Sequence, residues 1–392
     1  MKWLAFLMLV LVARVSNASG YSKPVLVGAR AIGFGGAFVS VADDPSAIFH
    51  NPAGLSLLEG QHLLVGSDVL ITGLEYTYPN GPAEHANRDV VPVPMILATA
   101  RIAPKWAIGI GLYFPHGNGG SFDRRSANPL NPDAGRIFSM EIAPAVSVRV
   151  GPALDVGGTF RLVRVSSNLQ GQYDPISTTT LANLDLAGLA VGGSLGVLYR
   201  PLQAVSLGAN YRSPVRSTLR GDATLAAPGG QRVFSASLRQ TLPSLVSLGI
   251  AYHLQVFTCA ASYDHEWNEQ VTPYSLNIAS AGAFVSHGEW APSNTIHVGG
   301  SFQPTHAMMI YGGYAKDLNA SIPDISMNRI LGDIAANEVS LAAMYQWAVW
   351  RLTFGWNARF GTRSIPVEAP NGAPGLYKGF VQTVSIAGEC RR

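Results

Sequence analysis

From residue 61 onward the chain repeats apolar residues at period two, and after its N-terminus it has none of the roughly 20-residue apolar runs that a membrane-crossing helix needs. Over residues 107–114, Ile108, Ile110, Leu112 and Phe114 share one face, and Ala107, Gly109, Gly111 and Tyr113 the other. Over residues 205–212 the split is Val205, Leu207, Ala209, Tyr211 against Ser206, Gly208, Asn210, Arg212; over 350–360 an apolar face of Trp350, Leu352, Phe354, Trp356, Ala358 and Phe360 opposes Arg351, Thr353, Gly355, Asn357 and Arg359. Each such strand separates two environments. Charged residues make up 13% of the chain, against roughly 25% in soluble proteins. A solvated outer face would carry more Lys and Glu, so the apolar face points to lipid and the small or polar face to a lumen. The pattern predicts an all-β transmembrane barrel, and the net charge of +3 gives no sign of a nucleic-acid partner.

Connections supply an independent signal. Short ones at residues 103–105, 151–153, 201–204, 254–256, 303–306 and 346–349 alternate with longer polar ones at 79–89, 115–136, 171–184, 215–235, 267–293, 317–337 and 362–376. Outer-membrane barrels have short periplasmic turns and long external loops. Six short and seven long connections make fourteen antiparallel strands with both ends on the periplasmic side. Trp106, Tyr199, Tyr252, Phe257, Phe302, Trp347 and Trp350 cluster next to the short turns, where interfacial aromatic rings belong.

The N-terminus is of another kind. Lys2, the apolar run at 3–13 and the small-residue end Ser16-Asn17-Ala18 have the layout of a secretory signal peptide over 1–18, and Ser19 excludes a lipid-anchored cysteine there. Residues 28–58 then form a small-residue, turn-rich stretch, with Asp43-Asp44-Pro45 and Asn51-Pro52-Ala53-Gly54 setting tight local turns. The expected organisation is a signal peptide at 1–18, a plug at 19–60 and a barrel at 61–392. Cys259 and Cys390 lie far apart in expected strands and read as small apolar fillers, with a disulfide left open.

Catalytic and cofactor motifs are weak. Gly192-Gly193-Ser194-Leu195-Gly196 matches a hydrolase elbow in letters but sits within an expected strand, whereas that motif needs a strand, a sharp turn and a helix. Gly33-Phe34-Gly35-Gly36 lacks the lysine of a phosphate loop. The histidines show no metal-ligand spacing, so no enzyme activity, cofactor or metal is expected. His50 and His116 read as polar lumen residues. Arg161, Arg212, Arg351 and Arg359 either hold a carboxylate head by paired hydrogen bonds or form an ion network with Glu141, Asp155 or Glu338; both readings stand.

Residues 28–58, with the Asp43-Asp44-Pro45 turn and the Asn51-Pro52-Ala53 triplet, closely resemble the N-terminal hatch of the FadL-type outer-membrane transporters of long-chain fatty acids and other hydrophobic compounds. The blocks at 142–146, 210–214, 242–245 and 322–324 are similar to that family as well, and fourteen strands is its number. The resemblance implies a 14-stranded antiparallel transmembrane β-barrel plugged by an N-terminal hatch, a monomer in the bacterial outer membrane. It implies passive uptake of a hydrophobic small molecule, foremost long-chain fatty acids, with aromatic hydrocarbons by the same route as the alternative. A general porin or an outer-membrane lipid hydrolase is the remoter reading. It also assigns hatch gating to Asn51, Pro52 and Ala53 and a lateral-opening kink to Pro115, His116 and Gly117. Arg161, Arg212 and Arg351 are the candidate head-group contacts. Two features depart from the family: the chain ends Gly388-Glu389-Cys390-Arg391-Arg392 with no terminal aromatic residue, and its loops are short.

Overall fold

Along Trp350–Ile365 the exposed positions include Trp350, Phe354 and Phe360, while Thr353, Gly355 and Asn357 are buried, so the two faces read from the sequence meet different surroundings. The computed structural model describes residues 26–123, 134–172, 181–227, 230–272, 274–279, 282–286, 289–324, 327, 333–367 and 373–392. Its wall strands are β1 (Gln61–Thr77), β2 (Val90–Ala103), β3 (Trp106–Ser121), β4 (Ala134–Arg149), β5 (Leu154–Gln172) and β6 (Leu181–Leu202). Next come β7 (Val205–Arg212, continued by Val215–Ala227) and β8 (Gly230–Leu242, continued by Leu245–His253). The wall is completed by β9 (Phe257–Glu266), β10 (Ser293–Thr305), β11 (Met308–Asp317), β12 (Asn337–Trp347), β13 (Trp350–Ile365) and β14 (Gly375–Arg391).

Each strand pairs antiparallel with its neighbours in chain order, and β14 pairs back onto β1 from His62 opposite Arg391 to Thr77 opposite Leu376. The result is a closed fourteen-stranded antiparallel barrel. Closure satisfies backbone groups by cross-strand pairing, the condition for crossing lipid with strands. Gly388 to Arg391 lie within β14, which pairs with β1 and β13. Cys259 and Cys390 are free thiols. Ser194 of the hydrolase-like sequence lies within the unbroken strand β6.

All six short connections are observed, but the long ones need correction. Residues 215–235, expected as a loop, are mostly strand: β7 and β8 continue as a paired hairpin from Val215 opposite Leu242 to Ala227 opposite Gly230. Residues 115–121, also expected as loop, extend β3. Beyond the bilayer, water can satisfy either face of a strand, so polar composition marks the end of the apolar band and not the end of the strand. The 267–293 connection holds a 3₁₀ turn (Asn268–Val271) and a short hairpin of Tyr274–Ile278 with Gly282–Ser286. The 1–18 leader lies outside the described residues.

Residues 26–58 form helix α1 (Ala29–Gly33), helix α2 (Ala47–His50) and a 3₁₀ turn (Pro52–Leu57) joined by tight turns, nearly all of it buried. The first contacts β11 through β14 and the 3₁₀ turn contacts β3 through β6. Wall glycines permit the approach: a Cβ on Gly208 would sit 2.2 Å from Val39 O, on Gly299 2.1 Å from Phe34 O, and on Gly313 2.3 Å from Gly35 N. That spacing gives a structural reason for much of the glycine in an otherwise apolar chain.

Candidate functional site

The Asn51-Pro52-Ala53 triplet joins the N-terminal segment to the wall. Asn51 is fully buried, with extended backbone between α2 and the 3₁₀ turn. Its Nδ2 donates to Val39 O at 2.8 Å and across to Val197 O of β6 at 3.0 Å, while Oδ1 accepts from Ala53 N at 3.2 Å. Pro52 fixes the start of the 3₁₀ turn, where a missing N–H costs nothing. Ala53 O accepts from Ser147 Oγ of β4 at 3.0 Å. Gly196 and Gly157 face this triplet: a Cβ would lie 2.1 Å from Asn51 Oδ1 at the first and 2.4 Å from Pro52 C at the second. His50 donates from Nε2 to Val27 O at 2.9 Å between the rings of Phe38 and Phe49. Burial lowers its pKa to about 4, against the opposing pull of the Val27 carbonyl.

The second predicted element is a fault in β3. Pairing with β4 slips between Tyr113 opposite Glu141 and His116 opposite Ser139, three residues against two, so Phe114-Pro115 carries a bulge. On its other edge β3 pairs with β2 only up to Leu112 opposite Ile96. Beyond that point Val90–Met95 of β2 pairs with β1 alone and residues 113–121 of β3 with β4 alone. A gap in the ladder therefore separates β2 from β3, closed at its far end by Asn87 N donating to Ser121 O at 2.7 Å and by the Arg136–Asp89 ion pair at 2.9 Å. His116 is buried with Nδ1 2.9 Å from Ser139 Oγ, and a Cβ on Gly117 would meet nothing within 4 Å.

The sequence held a signal for this gap on the opposite strand that the kink alone did not supply. Thr72 N donates to Asp89 O at 3.0 Å and Arg101 N to Gly60 O at 2.9 Å, so odd-numbered residues of β2 direct their backbone groups toward β1. Even-numbered residues face β3, and in the gap two of them are Pro92 and Pro94. Proline has no N–H to leave unpaired, so the edge that lacks a neighbour has lost two of the donors that would otherwise be orphaned.

Behind the gap lies a cavity of about 570 Å³. It is bounded by Val39, Phe49 and His50 of the N-terminal segment, by Val93 of β2 and by His116 and Gly117 of β3. Of the candidate head-group arginines, Arg212 lines it, while Arg161 and Arg351 do not. Arg161 and Arg212 converge on one buried carboxylate, Glu141. Arg161 grips it with Nε at 3.0 Å and Nη2 at 2.6 Å; Arg212 Nη2 lies 3.1 and 3.0 Å from its two oxygens. Arg212 also stacks 4.2 Å above the Phe49 ring. Arg351 pairs with Glu389 at 3.4 Å near the short turn after Trp347, apart from the other two. Arg359 pairs with Asp317 at 2.5 Å, Asp155 with Arg149 and Arg200, and Glu338 accepts from Asn357. Among the described residues no group of three or more His, Cys, Asp or Glu could hold a metal ion.

A closed barrel with an apolar outer face, aromatic rings at its short turns and a cavity beside a break in the wall defines a membrane β-barrel of the transporter class. The chain belongs to the outer membrane protein transport protein family (OMPP1/FadL/TodX), whose model matches residues 9–349. It is therefore a bacterial outer-membrane barrel of a family that transports hydrophobic compounds. Among solved structures it is similar to a Pseudomonas aeruginosa FadL homologue, with TM-score 0.84, 16% identity, and 95% of this chain and 100% of that one covered. It is also similar to the P. putida toluene transporter TodX, with TM-score 0.76, 16% identity and coverage of 93% and 98%. A third is the CymD monoaromatic hydrocarbon channel, with TM-score 0.72, 18% identity and coverage of 93% and 97%. At these identities the likeness is one of fold. A search of curated proteins by sequence returns no match.

Proposed function

We propose that the protein takes up an uncharged hydrophobic solute, which rests in the cavity above the N-terminal segment and leaves sideways between β2 and β3. In this reading residues 19–60 are the hatch, Asn51, Pro52 and Ala53 hold it to the wall, and the bulge at Pro115-His116-Gly117 frames the exit. The ladder gap at the cavity wall supports the route. The cavity volume of about 570 Å³ suits a small molecule, for which roughly 300–1,000 Å³ is usual.

The pairing of the arginines bears on the solute. Arg136, Arg212 and Arg359 line the cavity, and each already carries a carboxylate partner: Asp89, Glu141 and Asp317. A fatty-acid carboxylate would have to displace one of these, whereas an aromatic hydrocarbon needs no cation. This observation favours the aromatic solute over the long-chain fatty acid that the family resemblance put first. The test is competition in proteoliposomes between radiolabelled toluene and oleate. Uptake of toluene that excess oleate leaves unchanged supports the reading, and saturable oleate uptake that toluene does not inhibit overturns it.

A further inference from the structure

The outward face of β5 to β8 carries a feature that the solute path does not use. Arg164 pairs with Leu189, Ala187 with Arg220, and Thr218 with Arg239. Paired residues share a face, as do residues two apart, so Arg164, Arg216, Arg220 and Arg239 lie on one side of the wall. That side is outermost: Leu189 and Val191 on it are 66% and 59% exposed, while Val163, Val165, Leu186 and Leu219 of the other side are buried. Arg164, Arg216, Arg220 and Arg239 are all exposed. Among the described residues none of the four has an ion-pair or hydrogen-bond partner. Neighbouring strands stand about 4.8 Å apart, so the four span on the order of 15 Å.

Beside these arginines the wall ladder is interrupted. Pairing of β6 with β7 stops at Ser194 opposite Arg212 and resumes at Ala187 opposite Arg220, with Ser213-Pro214 between the two parts of β7. A groove of about 600 Å³ opens there, lined by Leu162, Leu189, Ala190, Val191, Pro214 and Arg216. It is sealed from inside, which excludes a second solute exit. Ser213 N donates to Gly193 O at 2.8 Å, Gly193 N to Ser213 Oγ at 2.9 Å, and the Glu141-bound Arg161 donates to Ser213 O at 3.1 Å.

Height fixes the chemistry of the occupant. The outward apolar positions of β6 run from Tyr199, beside a short turn, up to Leu189, and the next outward residues are Ala187 and Asp185. Ten residues at about 3.3 Å each, tilted about 40°, rise roughly 25 Å, the height of a barrel's apolar band. The arginines thus stand at the headgroup level of the external leaflet, with the groove just below them in acyl chains.

We propose that this face binds one phosphorylated, multiply acylated lipid of the outer leaflet, its phosphate on Arg164, Arg216, Arg220 and Arg239 and an acyl chain in the groove. Guanidinium groups meet phosphate oxygens through paired donors, and a headgroup satisfies arginines that the protein leaves unpartnered. The site is separate from the transport cavity, so lipid binding and solute uptake are measured independently.

The test is native mass spectrometry of the full chain in detergent with added bis-phosphorylated acyl-glucosamine disaccharide or its phosphatase-treated counterpart. Wild type is expected to carry one copy of the phosphorylated lipid and about tenfold less of the dephosphorylated one. R216Q/R220Q should lose the adduct, R216K/R220K should recover part of it, and L189W, which fills the groove, should also lose it. Unchanged heat-dependent gel mobility shows that each variant barrel is folded, and R164Q serves if the double variant is not. Equal binding of both lipid forms, retention of the adduct by R216Q/R220Q, or its displacement by equimolar inorganic phosphate overturns the proposal.

Discussion

Asn51 spends three hydrogen bonds in one buried place, two donated and one accepted. Asn51→Ala leaves the carbonyls of Val39 and Val197 and the Ala53 N–H to find other partners, at roughly 1–3 kcal/mol for each group left unsatisfied. Asn51→Asp keeps the shape but aims an acceptor at two carbonyls, so it should cost at least as much. Both variants should release residues 26–58 to limited proteolysis and lower solute uptake while the barrel keeps its heat-dependent mobility; normal uptake by Asn51→Ala would remove the role given to this residue. Gly196→Ala should act like them, since its methyl would overlap Asn51 Oδ1. His50 adds a pH dependence. Its folded pKa of about 4 lies below the ordinary 6.5, so between these values the unfolded segment binds more protons and stability falls as pH drops. The contribution, on the order of 3 kcal/mol, is intact above about pH 6.5 and lost by about pH 4. Arg212 and His297 act electrostatically in the same direction, while Asp264 opposes them. Hydrogen exchange of residues 26–58 should quicken over that window in wild type, and a His50→Gln variant should show a weaker change, the buried Asp44 keeping its own pH dependence.

At the scale of elements, the important object is the incomplete pairing of β2 and β3. Gly117 has open space around its Cβ position and borders the cavity. Gly117→Trp is expected to fill the gap and reduce uptake several-fold while the barrel keeps its heat-dependent mobility. The same bulk deep in the lumen abolishing uptake while Gly117→Trp leaves it intact would mean that solute runs straight down the barrel. The double change Pro92→Val with Pro94→Val tests the opposite edge. It returns two donors to an edge facing lipid, each worth about 0.5–1.5 kcal/mol if paired. The expected outcome is slower uptake and added amide protection across residues 90–95 and 113–120. No change in protection would show that strand separation is set by the bulge alone.

For the whole molecule, the wall and the N-terminal segment are held by different forces. The wall is a closed cross-strand ladder from β1 to β14 and back, with local breaks between β2 and β3 and between β6 and β7, whereas the segment is held by side-chain bonds and by apolar contacts of Ile48, Phe49 and Leu55 with Leu97, Tyr113 and Ala143. Removing residues 19–60 should therefore leave an assembled barrel with a water-filled lumen. Proteoliposome swelling by a small sugar should be absent in wild type and rapid in the deletion. Swelling in wild type would point to a general porin.

The sequence alone determined whatever depends on local periodicity. Period-two alternation and the scarcity of charge fixed a membrane barrel, and the count of short turns fixed fourteen strands, because each hairpin is written in a few neighbouring residues. Resemblance of the 28–58 segment marked the family. Only the tertiary structure decided features that depend on register between distant strands. Arg161 and Arg212 are 20 and 71 residues from the carboxylate they share, and nothing local to either names Glu141 over Asp155 or Glu338. The extension of β7 and β8 through residues 215–235 was hidden because a strand beyond the bilayer needs no apolar face. The gap between β2 and β3 was half legible: Pro115 and Gly117 marked one edge, while Pro92 and Pro94 matter only once their N–H positions are known to face the missing neighbour. Register joins residues far apart in the chain, and it is settled by closure of the whole barrel.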